Sequence, residues 1–281
     1  MAETPLTKDA AARDTLDVVT ICRADAWVDT VLPRFAAMVD ANCTGIVRRH
    51  LLLLCDVATR ADEPRILRSL IAAGWHTILC RTFHDPEPAR RLLVFDTLRA
   101  GLLGDFGLPE ALYIDPDTDV VGDLQGIQRI APHADLLWVA NPLSLEPVLR
   151  DLERLGSDAP DAPAPGEETA AARDTVLMEP GFFYMRRDLA ADFAAARRRL
   201  PDANGFAPGS TYWNIVMRSL GPRAVRLPDE FNRTFWDIAA AATRARSVHY
   251  TGQWKRLQPH VTYDRPGRRL TIHPDPVPLP R

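Results

Sequence analysis

The chain has 281 residues, of which 46% are hydrophobic and 25% are charged, a composition typical of a globular protein with a sizeable apolar core. Its formal net charge of −3 at pH 7 gives no electrostatic basis for binding nucleic acid or an anionic membrane surface. No nucleic-acid partner is therefore expected, and the length suits one large α/β domain as well as two small ones.

The N-terminal residues and the cysteines indicate the compartment. Residues 1–9 contain no apolar run of the kind found in signal peptides, and no stretch of the chain approaches the length of a membrane span. The four cysteines have no paired metal-ligand spacing and are expected to be reduced core residues: Cys22, Cys43, Cys55 and Cys80. The sequence therefore predicts a cytoplasmic protein without a transmembrane segment.

Strands and helices alternate along the first part of the chain. Apolar runs predict strands at residues 16–22, 50–55 and 76–80 and from residue 111. Apolar residues at helical spacing predict helices at 27–42, with an interruption at Pro33, from Glu63, and at about 88–103. The first helix carries an apolar stripe that is expected in the core: Trp27, Val31, Phe35 and Met38. This alternation is typical of an α/β fold with a doubly wound parallel sheet.

The second half of the chain is less regular. A further strand is predicted at 136–140, another at 181–185, and helices are predicted to end at Arg199 and to span 210–220. Residues 157–174 are rich in Pro, Ala and acidic residues, so they are expected to form a mobile loop. After residue 225, short strands and loops lead to a Pro-rich end that is expected to be an extended tail.

The most informative stretch is residues 111–123, where a short apolar run opens into four aspartates within nine residues: Asp115, Asp117, Asp119 and Asp123. A buried strand would deliver these carboxylates to its C-terminal end, the edge at which open α/β sheets bind ligands. Carboxylates this close repel one another unless a cation neutralises them, and hard oxygen ligands suit Mg²⁺ or Mn²⁺. The alternative is a solvated acidic turn after the strand.

Five features in chain order carry a resemblance to a known family: Thr20 in the first strand, Asp-Pro-Asp-Thr at 115–118, Gly-Phe-Phe-Tyr-Met at 181–185, Leu-Pro-Asp-Glu-Phe-Asn at 227–232 and His-Tyr-Thr-Gly-Gln-Trp-Lys at 249–255. Together they resemble the GT-A glycosyltransferases of the glycogenin and bacterial lipopolysaccharide galactosyltransferase family. The resemblance implies a single GT-A domain at 16–257, with a Rossmann-like, mostly parallel central sheet and helices on both faces. A tail at 1–15 and an extension at 258–281 would flank it.

The resemblance also implies a metal and nucleotide-sugar site. The pair Asp115 and Asp117 would bind Mn²⁺ (or Mg²⁺), with His249 as the third ligand. Gly252 and Lys255 would bind the diphosphate of the donor, since glycine permits close approach of the backbone and lysine supplies a compact positive charge. For His249 alone, a core histidine beside Tyr250 is the alternative.

Further residues receive weaker assignments from the same resemblance. Asp115 would contact the ribose as well as the metal, and Thr20 would lie near the base or the ribose. Arg91 would face the donor, a place that Arg90 could equally fill. Asp119 and Asp123 are weaker candidates for the site, and a solvated turn suffices for Asp123.

Glu179 is the candidate for the reacting face, either steadying positive charge at the anomeric carbon or acting as a nucleophile. A surface glutamate at the start of a strand is its alternative. The chain also departs from the family, because Gly209-Ser210-Thr211 stands where relatives carry Asp-Gln-Asp, so the carboxylates that orient the sugar are absent.

The resemblance implies a metal-dependent glycosyltransferase of the retaining type that passes a hexose from a nucleotide sugar, with UDP-hexose as the expected donor. The acceptor is left open among a saccharide, a lipid-linked glycan, a protein and a small molecule. Two other functions stay open: a nucleotidyltransferase, since similar sheets with paired aspartates serve both chemistries, and a non-catalytic nucleotide-sugar binding protein.

Overall fold

The computed structural model describes residues 15–56, 62–84, 88–141, 146–157, 176–201, 208–235, 238, 244–263 and 270–278. The strands are β1 (Thr15–Arg23), β2 (Ile46–Cys55), β3 (Thr77–Thr82), β4 (Ala111–Ile114), β5 (Thr118–Val120), β6 (Leu136–Ala140), β7 (Met178–Met185), β8 (Ala224–Arg226), β9 (Arg233–Thr234), β10 (Ser247–His249), β11 (Val261–Tyr263) and β12 (Leu270–Ile272). The helices are α1 (Ala26–Asn42), α2 (Glu63–Ala72), α3 (Pro88–Ala100), α4 (Leu102–Phe106), α5 (Glu146–Ser157), α6 (Ala190–Arg199) and α7 (Pro208–Leu220). A 3₁₀ helix spans Gly252–His260.

The chain divides into two compact units, and each is assembled from separated stretches of sequence. The first unit draws on residues 1–84, 111–132 and 229–281. It contains the parallel strands β3-β2-β1-β4 in that order, a small sheet β5-β10-β9, and the antiparallel pair β11-β12. Because neither unit is a continuous piece of chain, the sequence does not split into two consecutive domains.

The parallel strands of the first unit are buried because they are apolar almost throughout. Val18 and Val19 in β1 and Leu51 to Leu53 in β2 have no exposed surface, as expected of strands covered on both faces. Helix α1 begins at Asp25, whose side chain accepts a hydrogen bond from the backbone N–H of Trp27. The predicted interruption of this helix at Pro33 is wrong. The proline removes only the bond to the carbonyl of Asp29, an exposed residue that water can reach.

The second unit draws on residues 85–110 and 133–228. Its strands lie in the order β7-β6-β8, with β6 antiparallel to β7 and parallel to β8. Its core centres on Trp213 of α7, which is fully buried and whose ring centroid lies 4.7 Å from that of Phe183 and 5.4 Å from that of Phe193. Aromatic rings at these spacings contribute large buried area to the unit.

The predicted fold class, α/β with a mostly parallel sheet, is confirmed, but the helices differ in two places. The helix predicted at 88–103 is two helices, because Gly101 separates α3 from α4. Helix α5 was not predicted, although its buried residues Val148, Leu149 and Leu152 fall on one helical face. The mobile loop predicted at 157–174 lies outside the described residues apart from Ser157, and the tail at 1–15 does so apart from Thr15.

The C-terminal residues and the cysteines also bear on the predictions. The Pro-rich end does not simply extend away, because the backbone N–H of Val277 donates to the carbonyl of Pro259 at 2.9 Å. None of the four cysteines forms a disulfide, but Cys80 is exposed and Cys43 is only partly buried, so the expectation of a core position is confirmed for Cys22 and Cys55 alone. Within the described ranges, no helix is long and apolar enough to cross a membrane.

Candidate metal centre

The aspartate run turns sharply after β4, whose four residues are all buried. Asp115, Pro116 and Asp117 form the turn, and β5 follows directly at Thr118. Strand β5 pairs antiparallel with β10, which places His249 opposite Thr118. The backbone N–H of Tyr250 also donates to the carbonyl of Asp117 at 3.0 Å. This pairing brings the aspartates to a histidine far away in the sequence.

Asp115, Asp117 and His249 form a cluster in which the candidate ligand atoms all lie within 4.8 Å of one another. His249 Nε2 lies 3.4 Å from Asp117 Oδ1 and 3.8 Å from Asp115 Oδ2. Asp117 and His249 are almost fully buried, and Asp115 is partly exposed. The hydroxyl of buried Tyr113 donates to Asp115 Oδ1 at 2.5 Å, which fixes that carboxylate and leaves its other oxygen toward the histidine.

Lys255 supplies a positive charge to the same cluster. It lies on the 3₁₀ helix Gly252–His260, and its Nζ is 2.7 Å from Asp117 Oδ2. Burial alone would raise the pKa of Asp117, but the charges of Lys255 and His249 and their hydrogen bonds hold that pKa well below its ordinary value. Asp117 is therefore an ionised carboxylate at neutral pH.

The donor set of this cluster fits a divalent cation. Two carboxylates and one imidazole lie close enough together to bind a single ion, and this set of ligands suits Mn²⁺ or Mg²⁺. Further coordination positions would remain for phosphate oxygens and water. The buried charge of Asp117 requires a cationic partner, and the described structure meets that need with basic side chains. The predicted ligands Asp115, Asp117 and His249 therefore lie together, as a metal site requires.

Asp119 lies two residues after Asp117 but does not belong to this cluster. Its carboxylate is fully buried and accepts two hydrogen bonds from Arg34, from Nε at 2.8 Å and from Nη2 at 2.6 Å. Gln258 Nε2 and the hydroxyl of Tyr263 also donate to it, at 3.0 and 3.1 Å. Asp119 therefore joins α1 to the C-terminal segment, and its weak candidacy for the site is replaced by a structural role.

Asp123 also has a local structural role. Its carboxylate accepts hydrogen bonds from the backbone N–H and hydroxyl of Thr44, at 3.1 and 2.5 Å, and from the backbone N–H of Gln125 at 2.9 Å. These bonds lower the pKa of Asp123, although partial burial opposes them. Asp123 therefore stabilises a turn, in agreement with the alternative that the sequence analysis gives for it.

The structure places the other predicted residues of the first unit as follows. Thr20 is fully buried in β1, and its Oγ1 has no hydrogen-bond partner within the described part of the chain. Gly252 is the first residue of the 3₁₀ helix that carries Lys255. The contacts of Thr20 and Gly252 with a nucleotide stay predictions.

Arg91 and Glu179 lie in the second unit. Arg91 is a partly exposed residue near the start of α3. Glu179 is near the start of β7, where its Oε1 accepts a hydrogen bond from the backbone N–H of Gly181 at 3.1 Å. Their roles toward a donor sugar stay predictions.

The second unit gives a physical reason for the missing Asp-Gln-Asp motif. A Cβ on Gly209 would lie 1.6 Å from Asp96 Oδ2, so no side chain fits at position 209 without movement of Asp96. Asp96 is itself held, because its Oδ1 accepts hydrogen bonds from Arg99 at 2.7 Å and from the indole of Trp213 at 3.0 Å. A buried carboxylate from α3 thus occupies the space beside the first turn of α7.

Sequence reasoning missed the role of Trp27. The helical spacing of the apolar stripe places Trp27 in the core, but its ring is only partly buried and lies 4.9 Å from Lys255 Nζ. The signal was its position directly after the N-cap region, where a side chain lies at the end of the helix near the strand termini. The Arg34–Asp119 pair was also missed, since nothing in the local sequence links residues so far apart.

Comparison with solved structures identifies the fold. The galactosyltransferase LgtC, solved in complex with donor and acceptor sugar analogues, is similar over 90% of this chain and 91% of its own, with a TM-score of 0.59 and 14% identity. Mouse xyloside xylosyltransferase 1 is similar over 85% of this chain and 98% of its own, with a TM-score of 0.52 and 9% identity.

The bifunctional glycosyltransferase WbbM is similar over 90% of this chain, with a TM-score of 0.55 and 14% identity, and this chain spans about half of its length, 47%. No protein-family model and no curated protein matches the sequence. At these identities the likeness establishes the fold alone. The chain has the GT-A fold that the sequence predicted.

Proposed function

We propose that this protein is a metal-dependent glycosyltransferase of the retaining type that transfers a hexose from a UDP-sugar to an acceptor. The observation that carries the proposal is the cluster of Asp115, Asp117 and His249 with Lys255 beside it, at the turn after a buried strand of a GT-A fold. Such a cluster can hold a divalent ion and a diphosphate together, and the departing nucleoside diphosphate is the charge that the transfer reaction must stabilise.

Each residue of the cluster has a role in this reaction. Asp115, Asp117 and His249 would hold Mn²⁺ or Mg²⁺, which supplies Lewis-acid stabilisation of the leaving diphosphate when it is bound. Lys255 would bind the diphosphate oxygens as a point charge, since its side chain is 41% exposed and can reach a ligand. Thr20 and Gly252 would line the nucleotide, and Arg91 the donor, as the resemblance implies.

The proposal that the anomeric configuration is retained rests on the kinds of side chain in the cluster. An inverting transferase needs a general base that deprotonates the acceptor on the face opposite the leaving group. The residues assigned here instead stabilise the departing diphosphate, and Glu179 is the candidate to steady the anomeric carbon or to attack it. Proton NMR of the first product formed tests this step, because retention gives an α-linked sugar from an α donor and a β-linked product contradicts it.

One observation favours a second candidate, a non-catalytic protein that binds nucleotide sugars. The Asp96 carboxylate excludes a side chain at position 209, so the sugar-orienting carboxylates of the resembling family have no direct counterpart there. Release of hexose from UDP-hexose in the presence of Mn²⁺ separates the two functions, since a binding protein would bind UDP-hexose without turnover. Pyrophosphate formed from a nucleoside triphosphate would instead identify a nucleotidyltransferase.

The donor and the metal can be identified together. A thermal-shift panel of UDP-, GDP- and CDP-sugars, each with Mn²⁺, with Mg²⁺ and with a chelator, reports binding because a ligand that binds only the folded state raises its apparent stability. We expect the largest shift with a UDP-hexose and Mn²⁺. The free cysteines fit a cytoplasmic location, which cell fractionation would test.

A further inference from the structure

The Lys255 ammonium lies between a carboxylate and an aromatic ring. Its Nζ is 2.7 Å from Asp117 Oδ2 and 4.9 Å from the centroid of the Trp27 ring, a distance at which the ring face attracts a cation. Trp27 is in the first turn of α1, where the Asp25 cap fixes its backbone. The ring is therefore on an anchored helix end, whereas the lysine side chain is long and partly exposed.

The same carboxylate serves the candidate metal centre. Asp117 Oδ1 faces His249 at 3.4 Å while Oδ2 faces Lys255, so an ammonium already neutralises the carboxylate that a divalent ion would share with His249. Two cations beside one carboxylate repel each other strongly in a buried setting. The Lys255 ammonium and a divalent ion therefore compete for Asp117 as long as no further anion is present.

We propose that Trp27 is a positioning residue that holds Lys255 against Asp117 in the free protein and so couples the binding of a divalent ion to that of a diphosphate. A diphosphate gives the ammonium a more highly charged partner and draws it from Asp117, which leaves the charge of that carboxylate to the metal. By linkage, each ligand raises the affinity for the other. The identity of the diphosphate as part of a nucleotide sugar rests on the proposed function.

The test measures two affinities on the full chain by calorimetry: that of Mn²⁺ alone, and that of UDP at saturating Mn²⁺. Lys255→Met removes the competing charge, so we expect Mn²⁺ alone to bind about tenfold more tightly and UDP about tenfold more weakly. Trp27→Leu weakens the hold on Lys255 but keeps its charge, so it should tighten the binding of Mn²⁺ alone by about threefold and leave the affinity for UDP at saturating Mn²⁺ within about twofold of wild type. Trp27→Phe, which keeps a ring face, should restore most of the wild-type affinity for Mn²⁺.

Arg256→Met is the matched control, because it removes an exposed positive charge one residue away from Lys255. It should leave both affinities within about twofold of wild type. A general loss of structure would weaken the binding of both ligands, so only tighter binding of Mn²⁺ alone by both Lys255→Met and Trp27→Leu supports the proposal. Unchanged or weaker binding of Mn²⁺ alone by either variant overturns it. If the wild-type chain binds neither Mn²⁺ nor UDP, the proposed function fails instead.

Discussion

Asp117 and Asp119 are two residues apart in one turn and strand, both are almost completely buried, and their partners differ in kind. Asp117 contacts His249 and the half-exposed side chain of Lys255. Asp119 is gripped by the buried guanidinium of Arg34 and by two further donors. The lysine beside Asp117 is 41% exposed and can reach solvent, whereas the arginine beside Asp119 is only 5% exposed.

The choice of cation explains the difference. A lysine ammonium on a flexible stem makes a single point contact, so it can exchange one anion for another. An arginine guanidinium binds a carboxylate through two parallel hydrogen bonds, which fixes the geometry of both side chains. The same acidic run thus supplies one candidate metal ligand, Asp117, and one buried ion pair that stabilises the fold, at Asp119. Substitution of Asp119 should mainly lower the stability of the protein, and substitution of Asp117 should mainly lower ligand binding and turnover.

Asp119→Ala should have the largest effect on stability. It leaves the Arg34 guanidinium buried without its carboxylate, and breaking a buried pair in this way costs about 3–5 kcal/mol. We expect a loss of that size in the free energy of unfolding, measured by urea denaturation. Adding Arg34→Met should recover part of the loss, because no unpaired charge then remains. A loss below about 1 kcal/mol would show that the pair is dispensable.

Asp117→Ala should instead remove function with a smaller loss of stability. The lysine that it leaves behind can reach water, so its charge is not stranded. Binding of UDP should no longer depend on Mn²⁺, and turnover should fall by about 100-fold or more. Calorimetry in Mn²⁺ and in excess chelator checks the first effect, and equal dependence on Mn²⁺ in variant and wild type would contradict the assignment of Asp117 as a ligand.

The difference between the two aspartates marks the limit of what the sequence predicts. The apolar runs of β1, β2 and β4 predict the parallel strands, because burial on both faces demands continuous hydrophobicity. The spacing of Asp115, Asp117, His249 and Lys255 predicts the cluster through a resemblance. The sequence alone does not show which cation reaches which carboxylate, since Arg34 meets Asp119 only after α1 packs beside β5. The half-buried position of Trp27 depends on that packing as well.

The buried group around Asp119 should also make the stability of the protein depend on pH in the alkaline range. Burial and then the charge of Asp119 raise the pKa of Tyr250 well above its ordinary value, and the hydrogen bond that it shares with Tyr263 and the charge of Arg34 oppose this only in part. The folded state therefore keeps a proton that the unfolded state releases above about pH 10, so stability is complete below that pH and falls as the pH rises.

Above pH 10, the free energy of unfolding should fall by about 1.4 kcal/mol per pH unit for a tyrosine whose pKa is raised in this way. Tyr250→Phe should reduce the alkaline slope by about that amount, while the acidic side of the profile stays unchanged. Urea unfolding between pH 8 and pH 11 measures the slope. Parallel curves for the wild type and Tyr250→Phe would show that the hydroxyl ionises normally in the folded protein.

Asp123→Ala should have the smallest effect on stability and none on ligand binding, which would show that the last aspartate of the run does not belong to the binding site. Its carboxylate holds Thr44 and Gln125 through hydrogen bonds at a partly exposed turn, and loss of such bonds costs about 1 kcal/mol in the free energy of unfolding. The affinities for Mn²⁺ and UDP should not change, because the cluster of candidate ligands in the described part of the chain consists of Asp115, Asp117 and His249 and does not include Asp123. A change of more than about threefold in either affinity, at unchanged stability, would mean that the site extends further along the run than Asp117.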